Sequence, residues 1–240
     1  PFVRSQGPLN VPRSPQGRPI LAQAGASEAG RDFAARYADI VFTVQSDLTD
    51  AQAFYRDMKA RAVQHGRAPE SLLIYPGIVP IAARTRQQAE DRLAQMNGFM
   101  VIGHVLAKLS EFLGADLAQA DLDAPLPDTI GINPSQNQSS QSRVAVLVNI
   151  ARRENLTLRQ LLMRLATGRG HLLAVGTGDD IAATMELWFD NVAADGFNVM
   201  APVMPADLQS FVDLVIPALV DRTLFEVDHQ PTLRQRLRLS

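Results

Sequence analysis

Cysteine is absent from this 240-residue chain, which excludes disulfides, thiolate catalysis and cysteine-ligated zinc. An excess of one charge is absent too: 23 Lys and Arg stand against 25 Asp and Glu, a formal −2. A nucleic-acid-binding surface would need basic residues clustered in excess. No apolar stretch reaches the ~18–20 residues of a membrane span, because Pro, Gly or a charged residue interrupts each candidate. No signal peptide is recognisable, and we expect a cytoplasmic location. Beginning at Pro1 rather than Met, the chain is expected to be a piece of a longer protein. What remains is ordinary for a globular protein, with 46% hydrophobic and 20% charged residues.

Short β-like runs alternate with amphipathic helices, which predicts an α/β fold with parallel strands. Residues 1–19 are proline-rich without periodicity and read as an extended loop. Strands are expected at Pro19–Ala24, Ile40–Val44, Leu72–Ala82, His171–Val175 and Gly196–Met200. Pro76 and Pro80 predict a bend or bulge in the third of these. The first helix should turn Gly30, Phe33, Ala34, Tyr37 and Ala38 inward. The second should open with a capping box from Thr49 to Gln52 and bury Ala51, Phe54, Tyr55, Met58 and Ala62. Further capping boxes are expected at Thr85–Gln88 and Thr157–Gln160. A helix from Asp179 to Val192 should bury Ile181, Met185, Trp188 and Val192, and Leu208–Leu219, with Pro217 near its end, forms the last long helix.

Between about residues 97 and 170 the alternation lapses, which predicts an insertion of helices and loops, with helices at Val144–Glu154 and Leu158–Ala166. Within it, Pro125–Ser142 ends in the low-complexity stretch PSQNQSSQS, which has almost nothing to bury, and this Ser/Gln-rich loop before Arg143 reads either as a water-excluding lid or as a plain surface loop. Four or five parallel strands are too few for a closed (β/α)8 barrel, which typically takes ~250 residues. A half barrel would leave two edges unpaired, so the chain is expected to be half of a larger unit.

The segment Gln23-Ala24-Gly25-Ala26-Ser27-Glu28-Ala29-Gly30 ends a strand in small residues and opens a helix. Such a turn gathers unpaired amides and the positive helix end at one spot, suited to a phosphate. The same pattern is also that of an ordinary Ser cap with Glu28 placed for the dipole. His171, after Gly168-Arg169-Gly170, could exchange a proton near neutral pH or be a satisfied loop histidine. His65 reads as a helix C-terminus residue, and His104 and His229 lack partners at ligand spacing, so no metal site is expected. Gly176-Thr177-Gly178-Asp179-Asp180 reads as helix capping, because its acidic first turn would repel an anion. Arg152, Arg153, Arg234, Arg236 and Arg238 read as solvated faces or contacts with another subunit.

Gly7–Thr43, Leu72–Glu90, Ser140–Arg143, Ala151–Leu161, Gly168–Thr177, Ala193–Pro202 and Phe211–Leu219 together resemble one family, in the same order along the chain. It is the nitrilotriacetate / dibenzothiophene-sulfone / long-chain-alkane monooxygenase family, flavin-dependent enzymes of the bacterial-luciferase superfamily. The resemblance implies the C-terminal half of a (β/α)8 TIM barrel. It implies reduced FMN from a separate NAD(P)H:flavin reductase, with O2 as co-substrate, and oxygenation of a small organic molecule. It implies that Ser27, with the Ala26 and Ser27 amides, holds the flavin phosphate, and that Gly25 and Gln23 line the flavin. It makes His171 the catalytic candidate. Asn198 and Met200, at a strand's carboxyl end, are expected to shape the substrate pocket. Expected partners are the reductase, the missing N-terminal barrel half or a second chain, and further copies of itself. Two alternatives stay open: a truncated or split barrel that at most binds flavin phosphate weakly, and a related barrel enzyme using another flavin or a deazaflavin.

Overall fold

A computed structural model describes residues 6–7, 10–25, 27–127 and 148–239. Ala26 and most of the Ser/Gln-rich segment, with Ser140–Arg143 and the expected helix start at Val144, lie outside the described residues. The strands are parallel, as expected. β1 (Ala22–Gln23) pairs β2 (Ile40–Thr43), and β2 pairs β3 (Leu73–Ala82). β3 in turn pairs both β4 (Leu172–Gly176) and β5 (Asn198–Val199).

The prolines of β3 leave the strand continuous, against the expected bend. The Leu73 amide donates to the Asp39 carbonyl and the Ala83 amide to that of Gly176. Odd-numbered residues therefore bond β2 in the first half of the strand and β4 in the second. Even-numbered residues face the opposite edge, where the Ile74 and Ile78 carbonyls accept from Asp195 and Met200. Pro76 and Pro80 are even-numbered, so their missing N–H groups fall away from both longer ladders.

Helices cover one face of the sheet. α1 (Glu28–Tyr37) and α2 (Leu48–Gln64) close over β2 and β3 around Ala34, Ala35, Val41, Phe54, Met58 and Ile74. The inward face of α1 is thus the alanine face. Phe33 and Tyr37 are 57% and 47% exposed, their rings 5.1 Å apart on the outside, because an approach this close admits methyl groups and not rings. α2 buries its expected face, but its cap is Asp47, whose carboxylate accepts from the Thr49 and Asp50 amides. A carboxylate there also meets the positive helix end, so the Thr49–Gln52 box does not form.

Between β3 and β4 lie α3 (Arg86–Gly98), α4 (Ile102–Leu113), α5 (residues 148–153) and α6 (Leu158–Gly168). α4, α5 and α6 surround a separate core that includes Leu109, Leu113, Leu117, Leu158, Leu161 and Leu162, whereas α3 packs mainly against β4. Thr157 opens α6 with the expected reciprocal capping box to Gln160. Its replacement by Ala should cost about 1 kcal/mol in urea unfolding, and Thr157→Ser should restore most of it.

α7 (Gly178–Asp190) buries Ile181 and Trp188 in a third core with β3 and β4. Val192 is 55% exposed, against expectation, because the helix has ended and the residue adopts φ 56°. The last long helix is α8 (Ala206–Ser210), a π-turn at Phe211–Val215 and α9 (Ile216–Asp221) in series. The wide turn stands just before Pro217, whose ring cannot continue regular α-helical bonding. α10 (Leu233–Arg236) ends the described chain, and it corrects one reading: Arg234 is buried rather than solvated, bonded to Asp39 at 3.0 Å. Among the described residues no helix is long and apolar enough to cross a membrane.

Alternation along the strands places Ile40, Phe42, Tyr75, Gly77 and Asn198 on the face opposite the helices. Asn198 is exposed there and Phe42 and Tyr75 partly so, the pattern of a barrel wall open to its interior.

Candidate functional site

Two groups of residues gather at the carboxyl ends of the strands. The first is the turn from β1 into α1. Ser27 caps α1, its hydroxyl accepting from the Gly30 amide at 3.2 Å. Gln23 folds back so that its Oε1 accepts from the Gly25 amide at 2.8 Å. The two glycines pack together: a Cβ on Gly30 would stand 3.2 Å from the Gly25 carbonyl carbon and 3.0 Å from Ser27 Oγ. Among the described residues the amides of Ser27, Glu28 and Ala29 meet no acceptor. Ser27 Oγ receives a hydrogen bond, which leaves its own hydrogen to donate outward. The Glu28 carboxylate, which would repel an anion, is engaged by Arg61 at 2.7 Å. Ser27, Gly25 and Gln23 thus lie in one turn, whose geometry suits an ordinary helix cap as well as a phosphate.

By contrast, the N-terminus of α7 is filled by its own carboxylate. Asp180 accepts from the Thr177 amide and hydroxyl at 2.8 Å each. Those bonds, backbone first, hold its carboxyl below the usual range. That loop caps its own helix, and Asp180 pairs with Arg86 as well, at 2.7 Å.

The second group centres on His171. Its amide is tied to the Gly168 carbonyl, and its ring is buried and stacked on Phe42, centroids 5.4 Å apart at 17°. The ring lies over Gly77, where a Cβ would come within 2.4 Å of Nδ1 and 2.9 Å of Met200 Sδ. Gly77 is in register with Asn198, so His171, Met200 and Asn198 meet around one glycine of β3. Met200 also lines a cavity of about 450 Å³ between the strand ends and α3, α4 and α6. Val79, Met96, Met100, Val105 and Arg169 are among its other walls.

Sequence reasoning missed Phe42, Gly77 and Arg169. The first two sit on the inner face of their strands, which strict alternation from Ile40 and Tyr75 would have revealed. Arg169 carried a signal of another kind, an arginine at the αL position ending α6, φ 51°, where Gly is usual. Polar residues at the end of β2 were missed as well: Thr43 and Gln45 are buried, Gln45 donating to the Thr43 hydroxyl at 3.1 Å.

Below the strands, burial raises the Tyr55 phenol well above its ordinary range, helped by its hydrogen bond to Asp195. Asp195 also accepts from Lys59 and the Ile74 amide at 2.8 Å each, and this network positions the chain entering β5.

Comparison with known proteins gives a consistent result. The model of the luciferase-like monooxygenase family matches residues 1–195. Nitrilotriacetate monooxygenase component A of Aminobacter aminovorans is 42% identical over 237 residues, 98% of this chain and 51% of that protein. The solved EDTA monooxygenase of Chelativorans sp. BNC1 superposes with a TM-score of 0.74 at 32% identity, covering 100% of this chain and 55% of the other. A riboflavin lyase solved with modified FMN and riboflavin gives 0.79 at 28% identity, covering 99% and 51%. The chain spans about half the length of the curated relatives it matches.

Proposed function

Because the chain belongs to the luciferase-like monooxygenase family, we propose that it contributes the C-terminal part of a two-component, FMN-dependent monooxygenase. The observation that carries this is the Gly25–Gly30 cradle, with a donor-rich helix end above it. A Cβ on Gly25 would overlap the Gln23 side-chain nitrogen at 2.4 Å, and one on Gly30 would press on Ser27 Oγ, so both glycines keep the turn tight enough for its amides to converge. Reduced FMN supplies the electrons that activate O2 for oxygenation of a small organic substrate. Ser27 donates its hydroxyl hydrogen to the phosphate, and the amides of Ser27, Glu28 and Ala29 complete the cradle. The Ala26 amide, next to Ser27 in the sequence, is part of the same proposal. Gly25 lets the cofactor approach the backbone, and the Gln23 side chain fixes the turn. His171 holds or moves a proton behind Met200, at the cavity wall, and Asn198 presents an amide on the same side. The open inner face of the sheet is completed by the N-terminal half of the barrel. A separate NAD(P)H:flavin reductase supplies the reduced cofactor, and the assembled enzyme is a homo-oligomer. The stretch 97–170 is an insertion that walls the cavity.

The test compares FMN with riboflavin, which lacks the phosphate, on the chain joined to its N-terminal half. Ser27→Ala should weaken FMN about tenfold or more, the worth of one hydrogen bond to a charged group, and leave riboflavin unchanged. Equal losses for both flavins, or none for FMN, would remove Ser27 from the phosphate site.

A split or truncated barrel is the second reading, favoured by the open sheet face. Native mass spectrometry with FMN separates the two. One FMN per completed barrel supports the enzyme; a 26 kDa chain that never retains flavin, alone or with the other half, supports the fragment.

A further inference from the structure

The cavity beside Met200 has a chemical bias of its own. Its walls are mostly apolar and deformable, with thioethers from Met96, Met100 and Met200. Among the described residues lining it there is no Asp or Glu, and its one permanent charge is Arg169. The remaining titratable group is the exposed imidazole of His104. Among the described residues the Arg169 guanidinium meets no carboxylate, although Arg18, Arg31, Arg61, Arg86, Arg92 and Arg234 all do. Backbone geometry sharpens the point. Arg169 occupies φ 51° and Gly170 φ 85°, two successive left-handed residues that turn the chain from α6 into β4. A glycine at 169 would relieve the first of these, so the turn alone does not call for a side chain there. The same turn delivers His171 to Gly77 two residues later.

We propose that this cavity is the substrate chamber and that it selects an apolar molecule bearing one anionic group, a carboxylate or sulfonate, held by Arg169. The inference rests on the monooxygenase reading for what happens to the substrate, but not for the binding itself. The anion pairs with the guanidinium at the cavity mouth, bidentate where geometry allows. The apolar body then lies along the methionines toward Met200, behind which His171 stands. His104 can donate a second hydrogen bond to the anion. A neutral molecule of the same shape would leave Arg169 unpaired and gain nothing from it.

Calorimetric titration of the chain joined to its N-terminal half tests this with a matched pair, (phenylthio)acetate and its methyl ester. The carboxylate should bind roughly tenfold to a hundredfold tighter than the ester, the range for a hydrogen-bonded charged group. Arg169→Gln should abolish the difference by weakening the carboxylate alone. Arg169→Gly, which relaxes the backbone and so guards against misfolding, should do the same, and Arg169→Lys should keep part of the preference. FMN affinity should be unaltered in all three variants. Equal binding of acid and ester, binding of neither, or a preference that survives Arg169→Gly would overturn the proposal. Failure of the monooxygenase reading would look different: FMN would not bind, while the acid-over-ester preference persisted.

Discussion

Gly77→Ala should lower turnover of the assembled enzyme by about a hundredfold or more while leaving the protein folded, the size expected when reacting groups are misplaced by about an ångström. The His171 ring is confined on three sides: Phe42 stacks on it, Gly77 lies beneath it, and Met200 Sδ stands alongside. A methyl group at 77 would overlap Nδ1 at 2.4 Å, Cε1 at 2.9 Å and Met200 Sδ at 2.9 Å. None of these contacts can be relieved by the glycine strand, which is bonded to β5 through Ile78. The imidazole must therefore leave Phe42, or Met200 must swing into the cavity. Histidine side-chain NMR would report the first and the acid–ester titration the second. Wild-type turnover with an undisturbed imidazole resonance would mean that His171 is a packing residue. FMN affinity should not change, since the proposed phosphate site, the turn after β1, lies on the other side of β2.

Asp39→Asn should destabilise the fold by about 3–5 kcal/mol, the cost of stranding a buried charge. Asp39 receives both nitrogens of Arg18 at 2.7 and 2.9 Å, the Leu21 amide at 2.9 Å and Arg234 at 3.0 Å. Its side chain is 3% exposed and that of Arg234 is 11% exposed, so the loss leaves a guanidinium in the interior without its counter-charge. Burial alone would raise the Asp39 carboxyl, but the bonds from Arg234, Leu21 and Arg18 outweigh it and hold the group below its ordinary value of 3.8. A depressed carboxyl stabilises the fold fully above its unfolded pKa, and that contribution fades as pH falls through the folded value. Urea unfolding of the wild type should therefore show a loss below pH 3.8 that Asp39→Asn lacks. Identical pH profiles would show that the pair contributes nothing net.

The positions and parallel direction of the strands were legible because buried parallel strands read as dense β-branched runs between helical periods, as at Ile40–Thr43. The face of α1 was misread because periodicity weights Phe33 and Tyr37 above Ala34 and Ala35, whereas close helix packing favours the smaller side chains. Prolines 76 and 80 misled because their effect depends on which edge their nitrogens face, a parity fixed by the distant partners Thr43 and Ala174. The turn from β1 into α1 could be read locally, since Gln23, Gly25, Ser27 and Gly30 all lie within eight residues. His171 could be named from its motif, but Phe42, Gly77 and Met200 around it come from three strands. Arg234 looked solvated for the same reason: Asp39, 195 positions earlier, gives no local sign of it.

The separate leucine core of the helices between β3 and β4 has an evolutionary consequence. Those helices furnish most of the cavity wall, yet the leucine core that α4, α5 and α6 form shares no buried residue with the cores beneath the sheet. Substitutions on the two sides should then be nearly additive, with little epistasis between chamber shape and sheet stability. A lineage could exchange this helical cap piecemeal, drifting from one substrate to another, without reoptimising the turn from β1 into α1. The same modularity makes the cap a natural cassette for recombination: chimaeras joined within Ala83–Thr85 and Gly168–Gly170 should retain flavin affinity while inheriting the donor's substrate range.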